Sequence, residues 1–299
     1  MASNFGLDLR NYQHNKGGAC NSNFLIKTKK GRYMLTLVEE RSVSESAVLA
    51  KLLLWLEKHR YPTTRLVKTI KDKNYLKFNG KAFFVKKYLK GKTYTALSTK
   101  QIKQAGASLA CLHAVPSPEM MSDRLYYEDP KFEKVIGRGI DPKYEKWLKK
   151  RYVFFKENLP RGLPIGLIHA DLFADNIIFD KKNLRAIIDF EEACHYYLIY
   201  DIGMAIIGTC MDGKKMNSAK ARAFTKGYQK ERKLTGEEIG ALQIFMEYAA
   251  VRTSNWRIWK YHLDAPNPAK KNKHREMMAT AEMIRKMPKK KFLKKMFGR

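Results

Sequence analysis

The chain has 299 residues, with 59 Lys and Arg against 29 Asp and Glu for a formal net charge of +30, and its length and apolar content suffice for two folded domains. No run approaches the roughly eighteen apolar residues of a membrane span, and MASNFGLDLR lacks a secretory signal's basic-then-apolar pattern, so a cytoplasmic protein is expected. Cys20, Cys111, Cys194 and Cys210 are scattered, with no Cys-x-x-Cys pair or histidine at ligand spacing, which predicts reduced thiols rather than a disulfide framework or a zinc site.

From Asn15, NKGGACNSNFLIKTKKGRYMLT reads as a strand, a flexible turn at Gly17-Gly18 and a second strand. A hairpin turn over Lys29 to Arg32 then leads into Tyr33 to Val38. Glycines in such a hairpin let backbone N–H groups approach phosphates. Ser44 to His59 reads as an amphipathic helix capped by Ser44 or Ser46 and ended by Tyr61-Pro62. Two further strands, Tyr75 to Phe78 and Lys81 to Tyr88, flank the two-residue turn Asn79-Gly80. By position, the segment Lys87 to Gly91, with Lys87 and Leu89, is the place where an adenine ring would meet backbone groups.

From Ser98 the pattern turns helical up to His113, with Pro116 and Pro118 beyond; His113 is read as a satisfied helix-end histidine. A mainly polar stretch reaches Asp141, and Pro142 to Phe155 is a helix. Then comes LIHADLFADNIIFDKKNLRAIIDFEEACHYYLIYD, residues 167–201. Asp171 stands two residues after His169, Asn176 five after Asp171, and Asp189 thirteen after Asn176. The apolar runs Ile177 to Phe179 and Ala186 to Ile188 flank a polar turn, giving a loop, a strand, a turn and a strand that delivers Asp189.

Phosphoryl transfer needs such a set. One carboxylate accepts the attacking hydroxyl's hydrogen bond, while a carboxamide oxygen and a second carboxylate hold Mg²⁺ against the phosphates of ATP. His-x-Asp-x4-Asn matches the kinase catalytic loop, and Ile188-Asp189-Phe190 stands where Asp-Phe-Gly would be. Glu191 replaces the glycine and no arginine separates His169 from Asp171, which points to small-molecule rather than protein kinases. Singly, each acid reads as a turn or strand-end residue; the spacing and strand context carry the catalytic reading.

Further on, Tyr200 to Met211 is a buried helix, Ser218 to Glu231 an amphipathic one, and Gly236 to Leu263 a helical pair or one broken helix. Arg252, Trp256 and Trp259 share one helical face, extended one turn back by Tyr248. An amino-acid acceptor needs a cation for its carboxylate, making Arg252 the natural clamp and Arg257 the second candidate. The bland reading of that face is a core stripe with solvated arginines. Trp256, Trp259 and Tyr248 would equally cage a quaternary ammonium such as choline. The basic residues are spread along the chain, and only RKMPKKKFLKKMFGR is dense. It reads as a solvated tail, with a weak polyanion or anionic-membrane contact as the functional alternative.

The chain resembles the aminoglycoside phosphotransferase/choline kinase superfamily, and within it the homoserine kinases built on that fold. The resemblance lies in Asn21 to Leu25, Leu35 to Leu37 with Glu39 and Arg41, Ile168 to Phe173 with Asp175-Asn176, and Ile188 to Phe190. Ala193-Cys194, Tyr200-Asp201, Gly227 to Gln229, Arg252 and Arg257 continue it. It implies an α+β, bilobal protein-kinase-like fold with a small antiparallel-sheet N-lobe and a larger, mainly helical C-lobe. The expected divisions are 1–90, 91–284 and a basic tail, 285–299. Asp171 becomes the catalytic base, Asn176 and Asp189 the metal ligands, and His169 and Asp201 organisers of the catalytic loop, with ATP and Mg²⁺ as cofactors. Thr36 stands where many members place a phosphate-pairing lysine, a departure that the homoserine kinases of this type share. The expected activity is ATP-dependent phosphorylation of a small-molecule hydroxyl, that of L-homoserine, with choline or another amino alcohol as the alternative. A catalytically idle basic binding protein is disfavoured by the intact catalytic groups.

Overall fold

The computed structural model describes residues 2–15 and 21–298; Gly17 and Gly18 lie outside the described residues. The chain divides into two compact units. One comprises Met1–Thr93, Pro118–Met120 and Ile178–Glu191, and the other Tyr94–Ser117, Met121–Ile177 and Glu192–Arg299.

The smaller unit is built on strands β1 (Leu9–Asn15), β2 (Asn21–Thr28) and β3 (Gly31–Val38), helix α1 (Val43–Lys58), and strands β4 (Leu76–Phe78) and β5 (Lys81–Lys87). The sheet order is β1-β2-β3-β5-β4, with every neighbouring pair antiparallel. Asn79 and Gly80 both have positive φ, 46° and 73°, as a two-residue hairpin of the favoured twist requires. Strand alternation gives the sheet two different faces. On one, Ile26, Phe83 and Val85 pack with Phe5, Leu7, Leu35 and Leu37. The other carries Asn23, Thr36, Phe84 and Lys86, as the pairings Asn23–Thr36, Thr36–Phe84 and Met34–Lys86 dictate. Ser42, not Ser44 or Ser46, caps α1, because Glu45 stands three residues on and closes a capping box with it.

In the larger unit, α2 (Thr99–His113) is capped by Ser98 and Gln101, and α3 (Pro142–Asn158) by Asp141. Strand β6 (Ile165–Ile168) leads into the loop of Asp171. The hairpin β7 (Ile177–Asp180) and β8 (Asn183–Ile187) follows it, and β9 (Cys194–Tyr197) pairs antiparallel with β6. Residues 178–191 of this stretch belong to the smaller unit, so the expected single division near residue 90 gives way to one at Thr93 plus this hairpin. The cause is bonding: Phe179 and Lys92 exchange backbone hydrogen bonds, and Ile187 N–H donates to Pro62.

Helix α4 (Leu198–Thr209) is almost wholly buried and packs on α6 (Gly236–Trp259). Helix α5 (Ser218–Glu231) crosses α2 where Gly106 and Gly227 face the partner backbone; a Cβ at either would strike a carbonyl of the other helix. Helix α6 continues into a π turn over Lys260–Asp264, so the broken-helix expectation resolves to one helix with a wide end. Helices α7 (Lys273–Arg285) and α8 (Lys289–Phe297) follow. The expected solvated tail is therefore structured: Phe292 and Met296, four apart, are buried, and Thr225 donates to the Met296 carbonyl at 2.7 Å. Among the described residues no helix is long and apolar enough to cross a membrane.

Candidate active site

Leu167 and Ile168 at the end of β6 are buried, fixing where the following loop emerges. Ala170 adopts a left-handed conformation at φ 66°, costly for a residue with a Cβ. That conformation turns two successive N–H groups to one side, forming an anion-binding nest. Asp201 of α4 fills it: Oδ2 accepts from His169 N–H at 2.7 Å and Oδ1 from Ala170 N–H at 2.9 Å. Asp201 Oδ2 also lies 3.1 Å from His113 Nε2, and His113 Nδ1 lies 2.7 Å from the Tyr228 hydroxyl. A carboxylate only accepts, so Nε2 carries the proton. His113 is thus a satisfied helix-end histidine that holds the loop's anchor.

His169 is completely buried, and its Nδ1 accepts the Asp171 N–H at 3.2 Å. Its ring therefore holds the backbone at Asp171 from inside the protein. Asn176 closes the loop by donating Nδ2 to the Asp171 carbonyl at 2.8 Å. With its nitrogen committed, the carboxamide presents Oδ1 as its donor atom for a ligand. Gly208 on α4 lets the backbone at Leu172 and Phe173 pack directly against the helix.

Asp189 lies in the smaller unit, exposed and left-handed at φ 71°. Phe190 beside it is buried and meets Tyr61 edge-on with centroids 6.0 Å apart. Glu191 receives Asn21 Nδ2 on both carboxylate oxygens at 2.7 Å, and its carbonyl accepts from Arg41 at 3.0 Å. Burial and the charge of Asp189 raise the Glu191 pKa to about 7. The Asn176 carboxamide oxygen in the larger unit and the Asp189 carboxylate in the smaller are each of the donor type that suits a hard divalent cation.

Of the remaining expected nucleotide contacts, Thr36 is buried and spends its hydroxyl on Asn23 Oδ1 at 2.7 Å. Lys87 N–H donates to Arg65 and its side chain is exposed, whereas Leu89 just beyond β5 is half-buried. The Lys87 amide is thus already bonded within the smaller unit.

Sequence reasoning missed Tyr127 and Glu128, which sit in a 3₁₀ turn inside the stretch read as polar connection. Tyr127 is buried and its hydroxyl donates to Asp171 Oδ1 at 2.8 Å. Its carbonyl accepts from Arg252 at 3.3 Å. Arg252 lines a cavity of about 510 Å³ with Glu128, Tyr152, Phe155, Tyr196 and Tyr248. Glu128 Oε1 accepts from Tyr248 at 2.6 Å and Tyr196 at 3.1 Å. Burial opposes the Arg252 charge, but Tyr248, Tyr152 and Glu128 outweigh it and the guanidinium stays protonated. Its buried Nε has no hydrogen-bond partner among the described residues.

Arg257 does not join this cavity; it pairs with Glu276 on α7 at 3.4 Å. Trp256 packs edge-on against Tyr261 and Trp259 against Phe132, so neither lines the cavity and only Tyr248 of the expected cage does. One helical face was expected; the π turn supplies Tyr261 as a packing partner for Trp256 instead.

The family model for the phosphotransferase enzyme family matches residues 11–234, most of the chain. This chain belongs to that family. The phosphotransferase is 30% identical to the homoserine kinase of Methylobacillus flagellatus, covering 82% of this chain and 78% of that protein. It is 31% identical to that of Caulobacter vibrioides, over 79% and 77%. Among solved structures it resembles an amicoumacin kinase in complex with AMP-PNP and Ca²⁺, at TM-score 0.73 and 15% identity over 96% of this chain and 94% of that one. A choline/ethanolamine kinase family protein from Mesorhizobium loti gives TM-score 0.70 at 15% identity, over 97% and 93%. These place the phosphotransferase among the small-molecule kinases, on their α+β kinase-like fold.

Proposed function

We propose that this phosphotransferase transfers the γ-phosphoryl group of ATP to the side-chain hydroxyl of L-homoserine, giving O-phospho-L-homoserine for threonine biosynthesis in the cytoplasm. The observation that carries the reading is the chain from Arg252 through Tyr127 to Asp171, which ties a cavity with opposite charges to the loop carboxylate. Relatives that are homoserine kinases support it.

In this reading Arg252 takes the acceptor's α-carboxylate, as its unpartnered Nε and planar fork suit a two-oxygen anion. Glu128, held by two phenols, takes the α-ammonium. Asp171 accepts the hydroxyl proton as the oxygen bonds to the γ-phosphorus, and the bond to the β-phosphate oxygen breaks to release ADP. Asn176 Oδ1 and Asp189 are the residues assigned to Mg²⁺, which when bound offsets the phosphate charge. Leu89 is assigned to the adenine.

The aromatic walls of the cavity, with Glu128 among them, also favour a second reading, an amino alcohol such as choline. The buried Arg252 charge opposes it. Coupled ADP release by purified protein, tested with homoserine, choline, ethanolamine and an aminoglycoside, decides between them. Homoserine turnover is expected; turnover of choline alone would discard the acceptor and keep the reaction. Salt-dependent retention on nucleic acid without turnover of any alcohol would discard both.

A further inference from the structure

The kinase-like sheet lacks a lysine at Thr36, and Thr36 itself is buried and bonded to Asn23, so it can give nothing to a phosphate. A lysine stands elsewhere on the same sheet face. Lys86 on β5 lies opposite Met34 and two residues from Phe84, which pairs with Thr36, so Lys86 and Thr36 are diagonal neighbours. On that face Phe84 is fully buried and Asn23 and Thr36 satisfy one another, while the other cations lie further off: Lys27 pairs with Arg32 beside the β2–β3 turn, and Lys77 stands on the edge strand opposite Ala82.

Lys86 is half-buried, with its ammonium 5.8 Å from the Phe84 ring centroid. Among the described residues that ammonium makes no hydrogen bond and no ion pair. Holding a cation partly out of water with no bonded partner costs free energy, and a surface lysine would swing away into solvent instead.

We propose that Lys86 is the phosphate-pairing lysine of this enzyme, moved from the usual strand to its neighbour, where it binds the polyphosphate of the nucleotide. The assignment rests on the ATP reading above and deepens it. A four-carbon stem reaches across one strand spacing of about 4.8 Å, so the ammonium can serve the region a lysine at Thr36 would have served.

The test is nucleotide binding without any acceptor. Dissociation constants for MgATP and for adenosine are measured by calorimetry on the parent, Lys86→Met and Lys86→Arg. The expected result is a loss of roughly 10- to 100-fold in MgATP affinity for Lys86→Met, the range for one charge-assisted hydrogen bond, with adenosine binding unchanged. Lys86→Arg retains most of the MgATP affinity. Equal weakening of both ligands by Lys86→Met, or unchanged MgATP affinity, overturns the assignment while leaving the kinase reading intact. A folded parent that binds no MgATP removes the kinase reading and this assignment together.

Discussion

The phenol of Tyr127 donates to Asp171 at 2.8 Å, so the proposed base is already hydrogen-bonded by the protein when an acceptor arrives. Burial, and then the charge of Asp171, push the Tyr127 pKa well above the usual phenol range, which keeps it a donor. Its bond fixes one oxygen of the carboxylate that is to meet the incoming hydroxyl. Tyr127→Phe is expected to lower kcat about 10-fold, as for losing one hydrogen bond to a charged group, with the acceptor KM nearly constant. Steady-state kinetics with varied acceptor check it.

Asp201 is the anchor of the same loop, and its two oxygens accept two backbone N–H groups besides lying against His113. Asp201→Asn places an NH₂ group against one of those donors. The expected outcome is a stability loss on the order of 3 kcal/mol, as when one member of a buried charged network is removed. Urea unfolding of parent and variant measures it. Activity per folded molecule should fall as well, because the left-handed Ala170 loses what holds it.

Arg252 and Glu128 are predicted to read the two ends of a zwitterion. Arg252→Gln and Glu128→Gln are each expected to raise the acceptor KM about 10-fold or more while leaving the ATP KM within about twofold. A KM change confined to ATP in either variant counts against the cavity as the acceptor site. Arg257→Gln, at a side chain bonded to Lys273 and Glu276 of α7, is expected to leave both constants unchanged.

Glu247 gives a pH prediction. It is buried against Arg151 at 2.6 Å, and burial outweighs that partner to raise its pKa from 4.5 to about 7. A carboxyl whose pKa rises on folding holds its proton more tightly in the folded state. Its contribution to stability is present below about 4.5 and is lost as pH climbs to about 7. Glu247→Gln has no proton to lose, so its stability relative to the parent should improve from pH 5 to pH 8 by on the order of 1–3 kcal/mol. Urea midpoints of both proteins at the two pH values check the sign.

Much of the candidate site was legible because its residues are close in sequence. The loop carrying His169, Asp171 and Asn176 is one short segment, and the hairpin leading to Asp189 follows from apolar runs around a polar turn. The Asn79-Gly80 turn was readable from residue chemistry alone. Tyr127 and Glu128 were not, since a 3₁₀ turn has no apolar period and its partners lie 44 and 120 residues away. Helix α8 was hidden by its lysines, whose charge masks the Phe292–Met296 pair that docks it. The direction of Arg257 was set by α7, an element that the sequence reading had not recognised.

The central claim is that Asp171 drives phosphoryl transfer from ATP to homoserine, and the most direct measurement compares parent and Asp171→Ala for ADP release with homoserine at saturating MgATP. The account predicts turnover by the parent and a fall of about 10³-fold in the variant, with the MgATP dissociation constant unchanged. Equal rates in the two proteins, or no homoserine turnover by the parent, would contradict it.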